Sequence, residues 1–292
     1  MKRSEGFQYG LRTGRRAPEE DRRTVVLDSA LDVEKVVSTL PADHFADRSR
    51  RSPISDSIMG NGQFGDCVFA SDAKSFKRDE RFETLSTFEE ALTDFHVIDA
   101  YKLKTGSKAP GDENDTGYSM LGRQVERRTE GWTLPFAQLG VSKPHSYKTQ
   151  LFGSVTVEID ALRSIVYTLH GTQLGIDLPL TALDQLRAGQ PWSYVPNSSR
   201  NRPGSWGGHA VYSNCWQAGG DRIACFTWAM GDLVLPGAGG VPTRMQTMTR
   251  SFVEAYVDEA WAHVSALDRA KRVGYNVDAL LAKLRAEGVD VE

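Results

Sequence analysis

The hydrophobic period changes midway along the chain, and that change limits the folds open to it. In the first half, apolar residues recur every three or four positions: Ala70, Ala73 and Phe76, then Phe88, Leu92, Phe95, Ile98 and Tyr101. Such spacing lines one face of a helix. The first set predicts a helix starting at Cys67 with Asp66 as N-cap. The second predicts a helix over 88–101, with Thr87-x-x-Glu90 as its capping box. A third is expected over 118–129, after a polar loop at 106–117. In the second half the pattern alternates. Val155, Val157 and Ile159 predict a strand over 152–159, followed by a helix over 160–170 and a strand over 172–178. Aromatic strands over 192–214 are broken by a Gly/Pro-rich loop at 197–208. The segment 222–228 pairs with 209–216 as a hairpin. Helices return at 252–264, where Phe252, Tyr256 and Ala260 step by four, and at 277–287. Helices first and strands second predict an α+β domain with two unlike lobes, and a cleft between them suits a site.

The chain has 292 residues, enough to bury a large core. Lys+Arg is 35 and Asp+Glu 38, a net charge of −3, so no nucleic-acid partner is expected. No run of about 18 apolar residues predicts a membrane span. The basic start at Met1 leads into no apolar stretch, so no secretory signal is read there. Three cysteines, Cys67, Cys215 and Cys225, argue against a disulfide framework and for an intracellular or virion setting. Cys215 and Cys225 flank the hairpin and read as two buried thiols, with a disulfide as the alternative outside cells. Residues 1–50 show little periodicity beyond a short element near 24–27. Residues 1–23 hold seven Lys or Arg against four Asp or Glu and read as a solvated arm. Asp112-x-Asn114-x-Thr116-Gly117 echoes a calcium loop, but the twelfth position is Arg123, so a solvated loop is expected. Cys-x-x-Cys and His-Glu-x-x-His are both missing, and no metal or cofactor is expected.

Cys67 is the most informative residue for chemistry. It follows a loop containing Gly60, Gly62 and Gly65 and heads a helix, whose N–H groups favour a thiolate and an oxyanion. The alternative is a small buried core residue. A thiol nucleophile needs a base, and six histidines are available. His44 and His145 lie in polar loops, His96 and His263 within helices, and His170 at a helix end. His209 differs: it follows Gly207-Gly208, which clear space before the ring, and opens the strand Ala210-Val211-Tyr212.

These two segments resemble those of papain-like cysteine peptidases. Gly60-Asn61-Gly62-Gln63-Phe64-Gly65-Asp66-Cys67 is similar to the family's nucleophile segment, and Gly208-His209-Ala210-Val211 to its histidine strand. Thr227-Trp228 resembles the later segment where Asn and Trp follow. The resemblance implies a two-lobe fold and a hydrolase or acyltransferase acting on a peptide or isopeptide bond, without a cofactor. Cys67 would be the nucleophile and His209 its imidazolium partner. Asn61 and the Cys67 N–H would form the oxyanion site, and Thr227 would orient His209. Three positions depart from the family. Phe64 stands where a disulfide cysteine is usual, Asn61 replaces Gln, and Thr227 stands near the usual Asn. A longer pattern, through Met248-Thr249, Phe252 and Tyr256-Val257-Asp258-Glu259-Ala260-Trp261, resembles papain-like proteins of tailed phages and prophages of actinobacteria. That implies a domain over 51–265 between an arm (1–50) and a helical tail (266–292). The setting would be host cytoplasm or virion, and the arm would dock on virion subunits. It also opens an alternative role, a non-catalytic structural or accessory virion protein.

Overall fold

The computed structural model describes residues 11–21, 24–45, 58–84, 92–134, 145–149, 151–228, 230–235, 243–264, 277–286 and 288. Helix α1 (Val33–Val37) and strand β1 (His44–Phe45) precede the central helix α2 (Cys67–Thr84). Helices α3 (Asp94–Thr105) and α4 (Met120–Thr129) and a small hairpin, β2 (Trp132–Leu134) with β3 (His145–Tyr147), complete the helical half. The second half supplies β4 (Leu151–Ser154), α5 (Ile159–Leu169), β5 (Thr172–Leu178) and α6 (Leu180–Arg187). It continues with β6 (Gly207–Gln217), β7 (Arg222–Phe226), β8 (Leu233–Leu235) and β9 (Thr243–Thr249). Last come α7 (Arg250–Tyr256), β10 (Val257–Val264) and α8 (Val277–Ala286). The fold class is α+β, with an antiparallel sheet ordered β4-β10-β5-β6-β7-β9-β8 and β1 added onto β6.

Each half has its own apolar core. Phe64, Phe69, Phe76, Val97, Tyr101 and Trp132 fill the helical one. Leu162, Ile165, Leu174, Ile176, Trp192 and Phe252 belong to the larger core around the sheet. A third cluster joins them, and it contains Cys67 and Val68 from the head of α2 with Ala210 of β6 and Trp261 of β10. The first turn of α2 therefore sits in the seam between the halves.

Several expected elements move. Helix α3 begins at Asp94, where the Thr93 N–H donates to His96 Nδ1 at 3.2 Å, and it ends at Gly106 with φ 76°. Val97 and Tyr101 point inward while Phe95 is 70% exposed. Residues 88–91 and the Thr87 capping box lie outside the described residues. The strand expected over 152–159 stops at Ser154, and Ile159 opens α5. The helix expected over 252–264 breaks at Val257, whose backbone is extended (φ −82°, ψ 125°), and continues as β10. Residues 11–16, read from charge as solvated, bury Leu11 and Arg15. Neither Cys215 nor Cys225 is in a disulfide. Cys225 lies opposite Ser213 and Cys215 opposite Ala224, so the two thiols are out of register. The Asp112 carboxylate accepts from the backbone N–H of Lys108, Ala109, Asn114 and Asp115, a local turn.

Candidate active site

Cys67 is the first residue of α2, and the loop before it is pinned from below. The Gly65 N–H donates to Asp115 Oδ1 at 2.8 Å, and the Tyr101 hydroxyl donates to the same oxygen at 2.8 Å. Across the seam, the Ala210 N–H donates to Cys67 Sγ at 3.3 Å. His209 is thus the residue before the one that touches the sulfur. Its Nε2 lies 2.9 Å from Thr227 Oγ1, just past the end of β7. Its ring stacks on Trp228 at 4.0 Å and 10°, and Trp228 stacks in turn on Trp206 at 5.0 Å. His209 Nδ1 makes no hydrogen bond to the described residues. Asn61 is buried in the loop ahead of α2, and its Oδ1 is likewise without a partner among them. The fold therefore gathers Cys67, His209 and Thr227 at one seam. The other five histidines serve elsewhere: His96 caps α3, His44 stacks on Trp216 and His263 hydrogen-bonds Ser75. His170 closes α5 in a left-handed turn, and His145 opens β3. Among the described residues no group of three or more His, Cys, Asp or Glu is placed to hold a metal ion.

The electrostatics differ from the thiolate expected at a helix head. Burial pushes the Cys67 thiol up from 9.0 to about 12, against the Ala210 and Gly14 N–H groups and Arg15, which act the other way. That rise disfavours the thiolate by about 4 kcal/mol. A helix N-terminus contributes about 1 kcal/mol, so burial wins. Burial, aided by the Arg15 charge, pulls His209 down to about 3. Both groups are neutral here. Asp66 does not cap α2: both carboxylate oxygens are buried without hydrogen-bond partners from other described residues, and a Cβ on Gly60 would stand 2.7 Å from one of them.

What dries the pair is the N-terminal segment of the same chain. The N–H groups of Gly14 and Arg15 both donate to Gly208 O, at 3.0 and 2.9 Å, and the Gly14 N–H reaches Cys67 Sγ. On the other side, the Tyr118 N–H donates to Gly14 O and the Arg16 N–H to Tyr118 O. A Cβ on Gly14 would stand 1.9 Å from Gly65 O, and one on Gly208 2.4 Å from Arg15 O. Gly207-Gly208 do leave space, and the chain itself fills it. Cys67 and His209 have no exposed surface as a result.

Arg15 extends from this segment into a carboxylate cluster. Its two terminal nitrogens contact Glu259 Oε1 at 2.6 Å, Asp258 Oδ2 at 2.7 Å and Asp177 Oδ1 at 2.8 Å. Burial opposes the Arg15 charge, but Asp258 and Glu259 outweigh it and hold the guanidinium above its ordinary pKa. The residues of this cluster sit in segments that their local patterns assign elsewhere: Arg15 in the basic stretch 1–23, read as a solvated arm, and Asp258 and Glu259 in 252–264, read as a helix.

No family model and no curated protein matches the chain. Solved structures do. Xylellain, a cysteine protease from Xylella fastidiosa, superposes with TM-score 0.62 at 14% identity, covering 91% of this chain and 99% of that one. Procathepsin B S9 from Trypanosoma congolense gives 0.55 at 13% identity, over 88% of each chain. Digestive procathepsin L 3 of Tenebrio molitor gives 0.51 at 13% identity, covering 89% of this chain and 78% of that one. At such identities the likeness is one of architecture: the chain has the fold of the papain-like cysteine proteases.

Proposed function

We propose that the protein is a cysteine hydrolase of amide bonds whose site is kept latent by residues 13–16. The observation that carries this reading is the meeting of Cys67, at the head of α2, with the His209 strand, while His209 Nε2 is held by Thr227. That hydrogen bond fixes one ring nitrogen, and Nδ1 has no hydrogen-bond partner among the described residues. Once the covering segment leaves, water and substrate reach the seam and the burial that holds both groups neutral is relieved. The thiol proton passes to His209, and the thiolate attacks the amide carbon. The Cys67 N–H and the Asn61 side chain stabilise the oxyanion. The intermediate collapses as the imidazolium protonates the leaving amine. Water, activated by the neutral imidazole, then cleaves the thioester and frees the acid; an amine in its place would give acyl transfer. Trp228 shields the histidine face throughout.

The test uses the full-length chain. Gly14→Ala sets a methyl against Gly65 O and lifts the segment without touching the pair. Iodoacetamide labelling of Cys67, located by peptide mapping, should be negligible at neutral pH in the wild type. In Gly14→Ala it should proceed about tenfold faster or more, persist below pH 6, and collapse when His209→Ala is added. Hydrolysis of peptide amides should follow the same order. Labelling of Gly14→Ala that rises only near the ordinary thiol value of about 8.5, unmoved by His209→Ala, would overturn the reading. It would leave a non-catalytic protein on this fold.

A further inference from the structure

We infer that the substrate carries a cationic side chain next to the bond attacked, seated by Asp177, Asp258 and Glu259 where Arg15 now lies. The inference rests on the hydrolase reading for the word substrate, but its pocket stands on separate observations. Arg15 follows directly after Gly14, whose N–H reaches Cys67 Sγ. The pocket is therefore one residue away from the sulfur along an extended chain.

The three carboxylates come from two neighbouring strands. Asp177 of β5 lies opposite Gly208, one position from His209. On β10 the register slips between Val257 and Glu259, a bulge that makes Asp258 an extra residue. A bulge re-aims side chains, and here Asp258 and Glu259, adjacent in sequence, both reach the same guanidinium. Glu259 is held in place by the Trp261 indole N–H, which donates to Oε2 at 2.8 Å. It also needs Gly175 on β5: a Cβ there would stand 2.4 Å from Glu259 Cγ.

Charge selects the occupant. Among the described residues Arg15 is the one cation paired with these three acids. Its side chain is fully buried, whereas Asp177 and Asp258 keep 43% and 28% of theirs exposed. Burial raises the Asp258 and Glu259 carboxyls and Arg15 pulls both back down, so an apolar side chain there would remove the charge that offsets their burial. A planar guanidinium spreads two nitrogens over three carboxylates, a geometry that favours arginine over lysine. The occupant on display is thus a stand-in: the covering segment binds through the chemistry a substrate would use.

Two peptide amides, identical except for arginine or norleucine beside the cleaved bond, test this on full-length Gly14→Ala. The arginine peptide should be favoured by about tenfold to a hundredfold in kcat/KM, the scale of a charge-assisted contact. The ratio should fall toward one when Glu259→Gln is added. Equal cleavage of the two peptides would overturn the inference and leave the hydrolase intact. Calorimetry of Gly14→Ala/Cys67→Ser with N-acetyl-arginine amide and N-acetyl-norleucine amide reads the pocket without catalysis. Selective binding of the arginine amide there, with Gly14→Ala itself cleaving neither peptide, would uphold the pocket and sink the hydrolase. If Gly14→Ala leaves the segment seated, Arg15→Ala vacates the pocket directly. Its melting temperature should then rise with the arginine amide and not with the norleucine amide. An equal response to both would again overturn the inference.

Discussion

Two aspartates six positions apart are buried equally and behave oppositely. Asp66 precedes α2 in the glycine-rich loop, and Asp72 lies in its second turn; neither has exposed surface. Asp72 accepts from Arg123 Nε and Arg127 at 2.8 Å each, and from Gln173 Nε2 at 3.3 Å. Burial opposes its charge, but Arg127 and Arg123 prevail and hold it at about 2. Among the described residues no other group hydrogen-bonds the Asp66 carboxyl; burial pushes it well up against its own backbone N–H, and Asp115 and Asp94 add to the rise. Burial therefore does not decide whether a carboxyl is charged; its neighbours do. One region is a salted clamp between α2 and α4. The other is a buried carboxyl beside the nucleophile, where nothing offsets the cost of charge as the arginines do for Asp72.

The largest effect should come from breaking the clamp. Asp72→Asn removes the buried carboxylate that Arg123 and Arg127 share, and urea melts should show a loss of about 3 to 5 kcal/mol. A loss below about 1 kcal/mol would show that water reaches these arginines. Next, His209 is buried neutral, so only the unfolded chain takes up its proton below 6.5. Stability should fall by about 1.4 kcal/mol per pH unit from there toward about 3, and His209→Gln should flatten that slope.

The two aspartates should then give slopes of opposite sign. Asp72, depressed in the fold, contributes stability that is full above its ordinary 3.8 and lost as pH falls toward about 2. Asp66, raised in the fold, costs stability as pH climbs above 3.8. Melts of Asp66→Asn across pH 4 to 8 should show a shallower decline than the wild type. The smallest effect is that same variant below pH 3.8, where the carboxyl is protonated in the folded and the unfolded chain alike: a change within about 1 kcal/mol.

The local structure around Cys67 and His209 was more legible than that of the surroundings. Glycines before a cysteine at a helix start, and glycines before a histidine in a strand, are local patterns, and the segments around Cys67 and His209 formed as read. The segment 257–264 failed for a physical reason. Strand β10 lies between β4 and β5 and is buried on both faces, so its apolar run satisfies helical spacing as well as strand spacing. Nothing in Val257-Asp258-Glu259 announces a bulge. Arg15 was hidden for the opposite reason. A charged residue in a basic stretch is ordinarily solvated, and only the remote Asp177, Asp258 and Glu259 bury it. Long-range pairing of charge leaves no mark on local composition.

The covering segment belongs to the same chain as the cleft, and that sets the terms of its release. A tethered ligand meets its site at an effective concentration of roughly millimolar order, whatever the protein concentration. Dilution will not open the seam, and a free peptide must bind well enough to beat a neighbour that never diffuses away. Opening then calls for an event acting on residues 11–16 themselves, such as a cut, a pull, or a partner that claims Arg15.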